Sequence, residues 1–367
     1  MVPITATGYN QTLYWGGETA YGSAAVIDEP VGLVQSINPT ETNNLIKVKT
    51  LGGTRDYASI VPGKFEVTGS FEYYLQDGVF LRQAFGEDTC TTATVDSGPK
   101  FHTGAATYLH CMGSADSPAA DDFPSFSLEL TDYEDSGAAA DTANLKRVYD
   151  GCRVNTLKIA GTIDAPITVS VDYIGQGVNV STAGPTAVSE STEDPFVFYQ
   201  GQVYCTSGAI TAETSVVTGS KVCEVNSFDY SINNNLEAVW YISGTCAKGQ
   251  SIRGLKKLLI KGRDHEATLG LHFKNKAMYQ RFLGSNTATS SSTTLNKYQV
   301  ALDFVRKGTI GAATKLATDN FVRLVLGSCA FNTANIAVAP EDIVAQPLDL
   351  AVKSAKLFVV DDDASYT

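Results

Sequence analysis

Apolar and polar residues alternate most regularly in the stretch that begins at Phe65. One face would carry Phe65, Val67, Gly69, Phe71, Tyr73 and Leu75, and the other Glu66, Thr68, Ser70, Glu72, Tyr74 and Gln76. The same period of two recurs in Phe126–Thr131 and in Ile167–Tyr173. Residues two apart share one face of a strand, so each stretch predicts a strand with one apolar and one polar face. Such strands are typical of an antiparallel sheet that has water on one side.

A short helix is predicted directly after the first of these strands. The alternation ends at Asp77 and Gly78. The residues that follow at near-helical spacing are Val79, Phe80, Gln83 and Phe85. Gly86 is suited to cap the C-terminus of this helix. A helix this short can only close the end or the side of a sandwich.

The chain contains an internal repeat. Val31–Gly53 aligns without gaps on Val222–Gly244, and identical pairs include Asn43 with Asn234 and Asn44 with Asn235. Later blocks keep the same order: the strand and helix that end at Gly86 align with Gly262–Gly284, Phe126–Leu130 with Tyr298–Leu302, Gly151–Ala160 with Ser328–Ala337, and Ala165–Tyr173 with Gln346–Ser354. Ordered blocks of this kind indicate a tandem duplication.

The repeat predicts two domains in tandem, residues 1–185 and 186–367. The join falls in Gly175–Pro195, a segment rich in Gly, Ser, Thr and Pro, as is usual for a linker. The predicted fold class is mainly β, with two tandem domains, each a β-sandwich or barrel with one short flanking α-helix.

Composition and charge narrow the possible functions. With 43% apolar and 18% charged residues the chain is globular. A net charge of −12 argues against a surface that grips nucleic acid or anionic lipid. No uncharged apolar run approaches 18 residues and the N-terminus has no signal-peptide pattern, so we expect no membrane contact and synthesis in a cytoplasm. The seven cysteines are then expected to stay reduced.

The sequence predicts neither an enzyme nor a metal or cofactor site. It contains no nucleophile-elbow, phosphate-loop or zinc-protease motif. His102, His110 and Cys111 lack a fourth ligand at zinc spacing, so we interpret them as surface loop residues. The acidic stretch Asp116–Gly137 lacks the spacing of a calcium loop.

Three segments carry a resemblance to a known family. They are "GGETAYGSA", "RDYASIVPGKFEVTGSFEYYLQDGVFLRQAFG" and "RVYDGCRVNTLKIAGTIDAPITVSVDYIG". These segments resemble the major tail tube proteins of tailed phages and archaeal viruses. The resemblance covers most of residues 15–178 and reaches 222–358 through the internal repeat. The second copy lacks "PGKFEV" and the Asp-Gly before its helix, so the two copies need not play the same role.

The resemblance implies a structural virion protein whose rings stack into the tube through which the genome leaves the capsid. Single-domain members typically form hexamers, so a duplicated chain would form a trimer with pseudo-six-fold symmetry. If each domain lends four strands, the ring has about 24 strands, a circumference of about 150 Å and a diameter of roughly 48 Å, wide enough for duplex DNA. The implied partners are further copies of the chain and the tape-measure, tail-terminator and baseplate proteins, and DNA passes without specific binding.

Two surfaces are predicted to serve assembly and genome passage. Acidic residues on the polar strand faces would line the channel and repel phosphate, namely Glu66, Glu72, Asp264 and Glu266. The basic segment Lys248–Arg263 would contact the neighbouring ring, as the resemblance implies for this inter-strand loop, with the acidic stretch Asp116–Asp141 as its counterpart. Its contact residues would be Arg253, Lys256, Lys257, Leu258, Leu259 and Lys261. Leu255 and Leu258 to Ile260 are too apolar for water and would be covered by a partner.

Two other functions stay open at this point. One is a different virion or surface β-sandwich, such as a decoration, baseplate or adhesin module that binds a partner or a glycan. The other is a hydrolase on a β-sandwich, which would need a carboxylate pair or triad that the sequence does not offer.

Overall fold

The protein is built almost entirely of β-strands. The computed structural model describes residues 11–51, 55–86, 100–101, 108–113, 123–132, 144–211, 221–241, 253–307, 320–336 and 344–361. Strands make up 57% of the structure and helices 5%. The α-helices of this described part are α1 (Arg82–Phe85) and α2 (Ala277–Leu283). The prediction of a mainly β fold with short helices is therefore confirmed.

The strands before residue 186 are β1 (Gln11–Gly17), β2 (Glu29–Pro30), β3 (Leu33–Thr42), β4 (Ile46–Val48), β5 (Ser59–Val61), β6 (Glu66–Tyr74), β7 (Lys100–Phe101), β8 (Tyr108–Gly113), β9 (Phe126–Asp132), β10 (Leu145–Thr162), β11 (Thr168–Gly175) and β12 (Gly177–Ser181). The later strands are β13 (Gly201–Thr206), β14 (Lys221–Val222), β15 (Val225–Asn233), β16 (Leu236–Val239), β17 (Lys257–Ile260), β18 (Asp264–Leu271), β19 (Tyr298–Lys307), β20 (Asn320–Ala334), β21 (Leu348–Val352) and β22 (Ser354–Asp361).

One antiparallel sheet runs through both halves of the chain, and we call it the shared sheet. Its strand order is β3–β6–β11–β10–β15–β18–β21–β20. The first four strands come from the first half and the last four from the second, in matching order. β10 and β15 join the halves through the continuous register Thr156↔Asn233 to Thr162↔Ser227.

Each half also has an outer sheet. The first outer sheet has the order β2–β1–β9–β10–β12. The second has the order β14–β13–β19–β20–β22–β8–β7, so the β7–β8 hairpin of the first half extends the outer sheet of the second. The sheets are large and antiparallel and do not close into a barrel. Of the two forms that the sequence left open, the sandwich is the one observed.

The long strands β10 and β20 each belong to two sheets because they bend near their middles. Gly151 (φ 64°) and Ser328 (φ 52°) lie at these bends with left-handed backbone conformations. The register also shifts there, between Tyr149 and Cys152 in β10. Bulges of this kind redirect a strand. Each long strand therefore leaves an outer sheet and enters the shared sheet.

The apolar faces of the shared sheet and the outer sheets form one continuous core. Phe80, just before α1, lies at its centre in the first half, with its ring 5.2 Å from those of Trp15 and Phe71. In the second half Phe228 of the shared sheet packs 5.2 Å from Phe304 of the outer sheet. Because the halves share this core and a sheet, the division at residue 185 and the duplication itself stay predictions.

Two expectations about side chains in β8 are wrong. His110 is fully buried and lies 3.5 Å from the Asp361 carboxylate, so it is not a surface loop residue. Cys111 is disulfide-bonded, so the seven cysteines are not all reduced. His102 lies outside the described residues. The error about His110 has a clear cause, because β8 pairs with β22, which is distant in sequence.

Candidate functional site

The polar face of the shared sheet brings the four predicted channel residues to one side of the molecule. Glu72 lies opposite Ser170 on the neighbouring strand, and Glu266 lies further along the same row of paired residues across the sheet. Asp264 lies in the adjacent row, opposite Asn233. Glu66 precedes these positions on the same face of β6. The side chains on the other face of these strands are mostly buried. The four residues therefore lie on the solvent side, as the period of two predicted.

Two of these carboxylates are held by equivalent contacts. Asn44 donates from Nδ2 to Glu66 Oε2 at 2.6 Å, and Asn235 donates from Nδ2 to Asp264 Oδ2 at 2.7 Å. Glu66 also accepts from Lys64 Nζ at 2.6 Å, and this hydrogen bond is the main reason that its pKa is lowered. Asp264 and Glu266 are exposed, whereas Glu66 and Glu72 are partly buried.

Three further carboxylates on the same face were not predicted, although period-two counting could have found them. They are Asp172, Asp229 and Asp349. Burial raises the pKa of Asp172 in the middle of the sheet. Lys158, which contacts Asp229, is the one basic residue on this face among the described strands of the shared sheet. The described part of this face is therefore acidic on five of its eight strands, β6, β11, β15, β18 and β21.

The shared sheet has two open edges. Within the described residues β3 pairs only with β6, and the end of β20 pairs only with β21. β15, which occupies the position of β3 in the second half, pairs on both sides. Open backbone donors and acceptors at a strand edge are a ready surface for pairing with another chain.

A buried asparagine contact supports the internal junction of the sheet. Asn234 donates from its backbone to Asn155 O at 2.7 Å and from Nδ2 to Val154 O at 3.0 Å. Asn155 Oδ1 in turn accepts from the backbone of Leu236 at 3.0 Å. Arg263 Nε donates to Asn234 Oδ1 at 2.8 Å and so fixes the amide. Asn234 has no exposed surface.

The predicted inter-ring residues lie in and beside a two-stranded hairpin formed by β16 and β17. Arg253 fastens this region to the first half, because its Nε donates to Gly63 O at 2.6 Å and its Nη2 to Asn43 Oδ1 at 2.7 Å. Lys261 pairs with Glu237 at 2.6 Å, and both are exposed. Lys256 and Lys257 are partly exposed.

The apolar part of this hairpin differs from the expectation. Leu255 and Leu258 are buried within the chain itself, so they need no partner to cover them. Arg153 from the first half donates to Leu258 O at 3.0 Å and holds the hairpin against β10. Leu259 and Ile260 remain exposed, at 38% and 36%. Of the two leucines predicted to contact the neighbouring ring, only Leu259 is therefore exposed.

The matching segment of the first half is also a hairpin, formed by β4 and β5. It carries a cluster of exposed apolar side chains, which we call the first hairpin patch: Leu45, Ile46, Val48, Leu51, Tyr57, Ile60 and Val61. The alternation in "LIKVKT" is the signal that could have revealed it. The acidic stretch Asp116–Asp141 lies largely outside the described residues. Its predicted contact with the basic segment therefore stays a prediction.

Open sheet edges and exposed hairpins, within the part of the chain that the structure describes, are surfaces suited to contact with other chains. Among the described residues no three His, Cys, Asp or Glu side chains are grouped to bind a metal ion. None of the described helices has the length and apolarity needed to span a bilayer. No curated protein matches the chain.

The family model for phage tail tube proteins matches residues 8–351, nearly the whole chain, and the protein belongs to that family. The family is structural rather than enzymatic, and its members are virion tail components that self-assemble.

Proposed function

We propose that three copies of this chain form a ring of the tail tube, and that β20 of one copy pairs with β3 of the next. The observation that carries this proposal is the shared sheet, which contains four strands of each half in matching order and ends in two edges that pair with no other described strand. The internal pairing of β10 with β15 is the same kind of contact, already made once within the chain.

Three shared sheets would contribute about 24 strands to the inner wall. At a spacing of about 4.8 Å and a tilt of about 40°, that wall has a diameter of roughly 48 Å. Duplex DNA passes through such an opening after side chains have narrowed it. The outer sheets then form the second layer of the ring.

The acidic face lines the channel in this arrangement. Glu72, Asp172, Asp264 and Glu266 present carboxylates to the passing phosphates, and like charges repel DNA from the wall during ejection. Binding to the wall would otherwise retain the genome through many phosphate contacts at once.

The hairpins of both halves make the contacts between stacked rings. Leu259 and the first hairpin patch supply apolar area, while Arg253, Lys256, Lys257 and Lys261 set orientation, because exposed ion pairs contribute little affinity. At the ends of the tube the same surfaces meet tape-measure, tail-terminator and baseplate proteins. The chain is synthesised in the host cytoplasm before assembly.

Mass measurement of single rings and end-on electron micrographs test the ring. A trimer with six similar lobes is expected, and a ring of six chains would contradict the proposal.

The channel assignment has a separate test, in which Glu72→Lys with Glu266→Lys is compared with Glu190→Lys with Asp194→Lys. The control makes the same charge change in the exposed segment between the halves. We expect tubes of the first variant to retain duplex DNA at low salt and to release it steeply as salt rises. Equal retention by the control, or by the parent, would show that this face does not line the channel.

A further inference from the structure

The contact between the two halves has an unused counterpart at the open edges of the shared sheet. Within the chain, Asn155 on β10 meets Asn234 at the end of β15. The aligned residues are Asn332 on β20 and Asn43 at the end of β3, and both are again asparagine. Asn332 and Asn43 lie on opposite edges, so one copy cannot bring them together as it brings Asn155 and Asn234 together.

The backbone next to Asn43 has the same shape as the backbone next to Asn234. Asn44, which follows Asn43, and Asn235, which follows Asn234, both take left-handed conformations, with φ of 43° and 47°. Asn44 Nδ2 donates to Lys64 O at 3.2 Å, and Asn235 Nδ2 donates to the aligned Gly262 O at 2.7 Å. Left-handed conformations are uncommon outside glycine, so their recurrence at aligned positions indicates equivalent local structures.

An arginine of the second half donates to the side-chain oxygen of each asparagine, although the two arginines lie at non-equivalent positions. Arg263 Nε donates to Asn234 Oδ1 at 2.8 Å, and Arg253 Nη2 donates to Asn43 Oδ1 at 2.7 Å. With its oxygen occupied, each amide keeps Nδ2 as a donor. Asn234 uses this donor on Val154 O, whereas Asn43 Nδ2 has no acceptor among the described residues.

Asn332 completes the comparison. It is exposed, and its side chain makes no hydrogen bond to any described residue. Its aligned partner Asn155 accepts from the backbone of Leu236 through Oδ1. The aligned donor in the first half is the backbone of Leu45, whose side chain is 57% exposed in the first hairpin patch.

We propose that Asn43 of one copy and Asn332 of the next form an asparagine clasp that repeats the internal contact and locks adjacent subunits of the ring. Asn43 Nδ2 donates to the carbonyl of Phe331 in the neighbouring copy, and Asn332 Oδ1 accepts from the backbone of Leu45. The internal pair Thr156↔Asn233 fixes the register, so that Thr333 lies opposite Thr42 of the next copy. This inference rests on the ring of the proposed function and specifies its interface.

The clasp is a weaker version of the internal junction. Pro39 and Glu41 stand where Tyr230 and Ile232 fill the internal contact, and both of these are fully buried. Proline also lacks the backbone donor of a strand residue. Copies of the chain therefore associate less firmly than the two halves do, which favours joining at a growing tail over closure in free solution.

Cysteine pairs test the register in assembled full-length protein under mild oxidation. Thr42→Cys with Thr333→Cys should give covalent dimers and trimers on a non-reducing gel, and a reducing agent should remove them. Thr42→Cys with Ala334→Cys is the matched control, because a shift of one residue moves the side chain to the other face of the strand. Tubes that form without crosslinks from the first pair, or crosslinks that form equally in both, would overturn the interface.

Alanine variants test the clasp itself. Asn43→Ala and Asn332→Ala should each raise the critical concentration for assembly about five- to tenfold, as expected for lost hydrogen bonds at an interface. Asn335→Ala changes an exposed asparagine of the same edge and should leave it unchanged. The double variant should cost less than the product of the single effects, because both act on one contact. If the cysteine pair crosslinks but Asn332→Ala assembles like Asn335→Ala, the clasp is wrong while the ring stands.

Discussion

Replacing Asn234 by alanine should destabilise the single subunit strongly, because this buried side chain makes hydrogen bonds between the two halves. Its Nδ2 donates to Val154 O at 3.0 Å and to Ala84 O at 3.4 Å. Its Oδ1 accepts from Arg263 Nε at 2.8 Å. Alanine removes all three side-chain contacts and fits the space only partly.

The magnitude follows from the kinds of bonds lost. The bond to Val154 is neutral and contributes about 1 kcal/mol, and the longer one to Ala84 contributes less. The bond from the Arg263 guanidinium is charge-assisted and contributes about 1.5–3 kcal/mol. We therefore expect the free energy of unfolding to fall by about 3–4 kcal/mol.

Asn43→Ala is the matched control, because it removes the aligned side chain from the other half. Asn43 is exposed and its side chain contacts only Arg253 among the described residues. We expect a loss of about 0.5 kcal/mol, which is usual for an exposed position. Urea unfolding of the unassembled subunit, followed by circular dichroism and linear extrapolation, measures both values. Equal losses for the two variants would refute the assignment of Asn234 as the amide that secures the junction.

Three further outcomes follow from the structure. Asp303→Leu or Arg323→Met alone should cost about 3–5 kcal/mol in urea unfolding, because each removes the bidentate ion pair of a buried charged partner, whereas the double variant should recover most of the loss. Leu259→Asp should slow tube growth in light scattering with an unchanged urea midpoint, whereas Leu258→Asp should lower that midpoint because Leu258 is buried. The pKa of Glu66 is lowered in the folded protein, so its carboxylate stabilises the fold above the ordinary pKa of 4.5, and this stabilisation is lost as the pH falls through the folded pKa. Glu66→Gln should therefore remove that part of the pH dependence of the unfolding free energy.

Local pattern predicted the strands of the shared sheet well because one face of each strand is buried. The alternation from Phe65 to Gln76 corresponds to β6, which runs from Glu66 to Tyr74. The helix after it was predicted too long. Asp77 Oδ1 accepts from the backbone of Val79 at 3.1 Å and turns the chain, so α1 begins only at Arg82.

Contacts between distant segments could not be read from local pattern. Leu258 was expected to be covered by a partner because it lies in the basic segment Lys248–Arg263, but it is buried within the chain, where Arg153 donates to its carbonyl. His110 looked like a loop residue because its strand partner, β22, lies near the other end of the chain. In both cases the missing information is which element packs against the segment, and no periodicity carries it.

The internal repeat aligned Asn43 with Asn234, but the presence of the same residue at both positions did not indicate that either one makes a contact. The structure adds the decisive difference, which is that Asn234 is fully buried and Asn43 is exposed. A residue that is needed only for folding has no reason to recur at a position where it is exposed and contacts only Arg253 among the described residues. Its recurrence beside an unpaired strand edge fits a chain that makes one contact within itself and repeats that contact with a neighbour. On this reasoning the substitutions at Pro39 and Glu41 weaken the outer contact, and they should be the first positions at which an engineered subunit gains assembly in free solution.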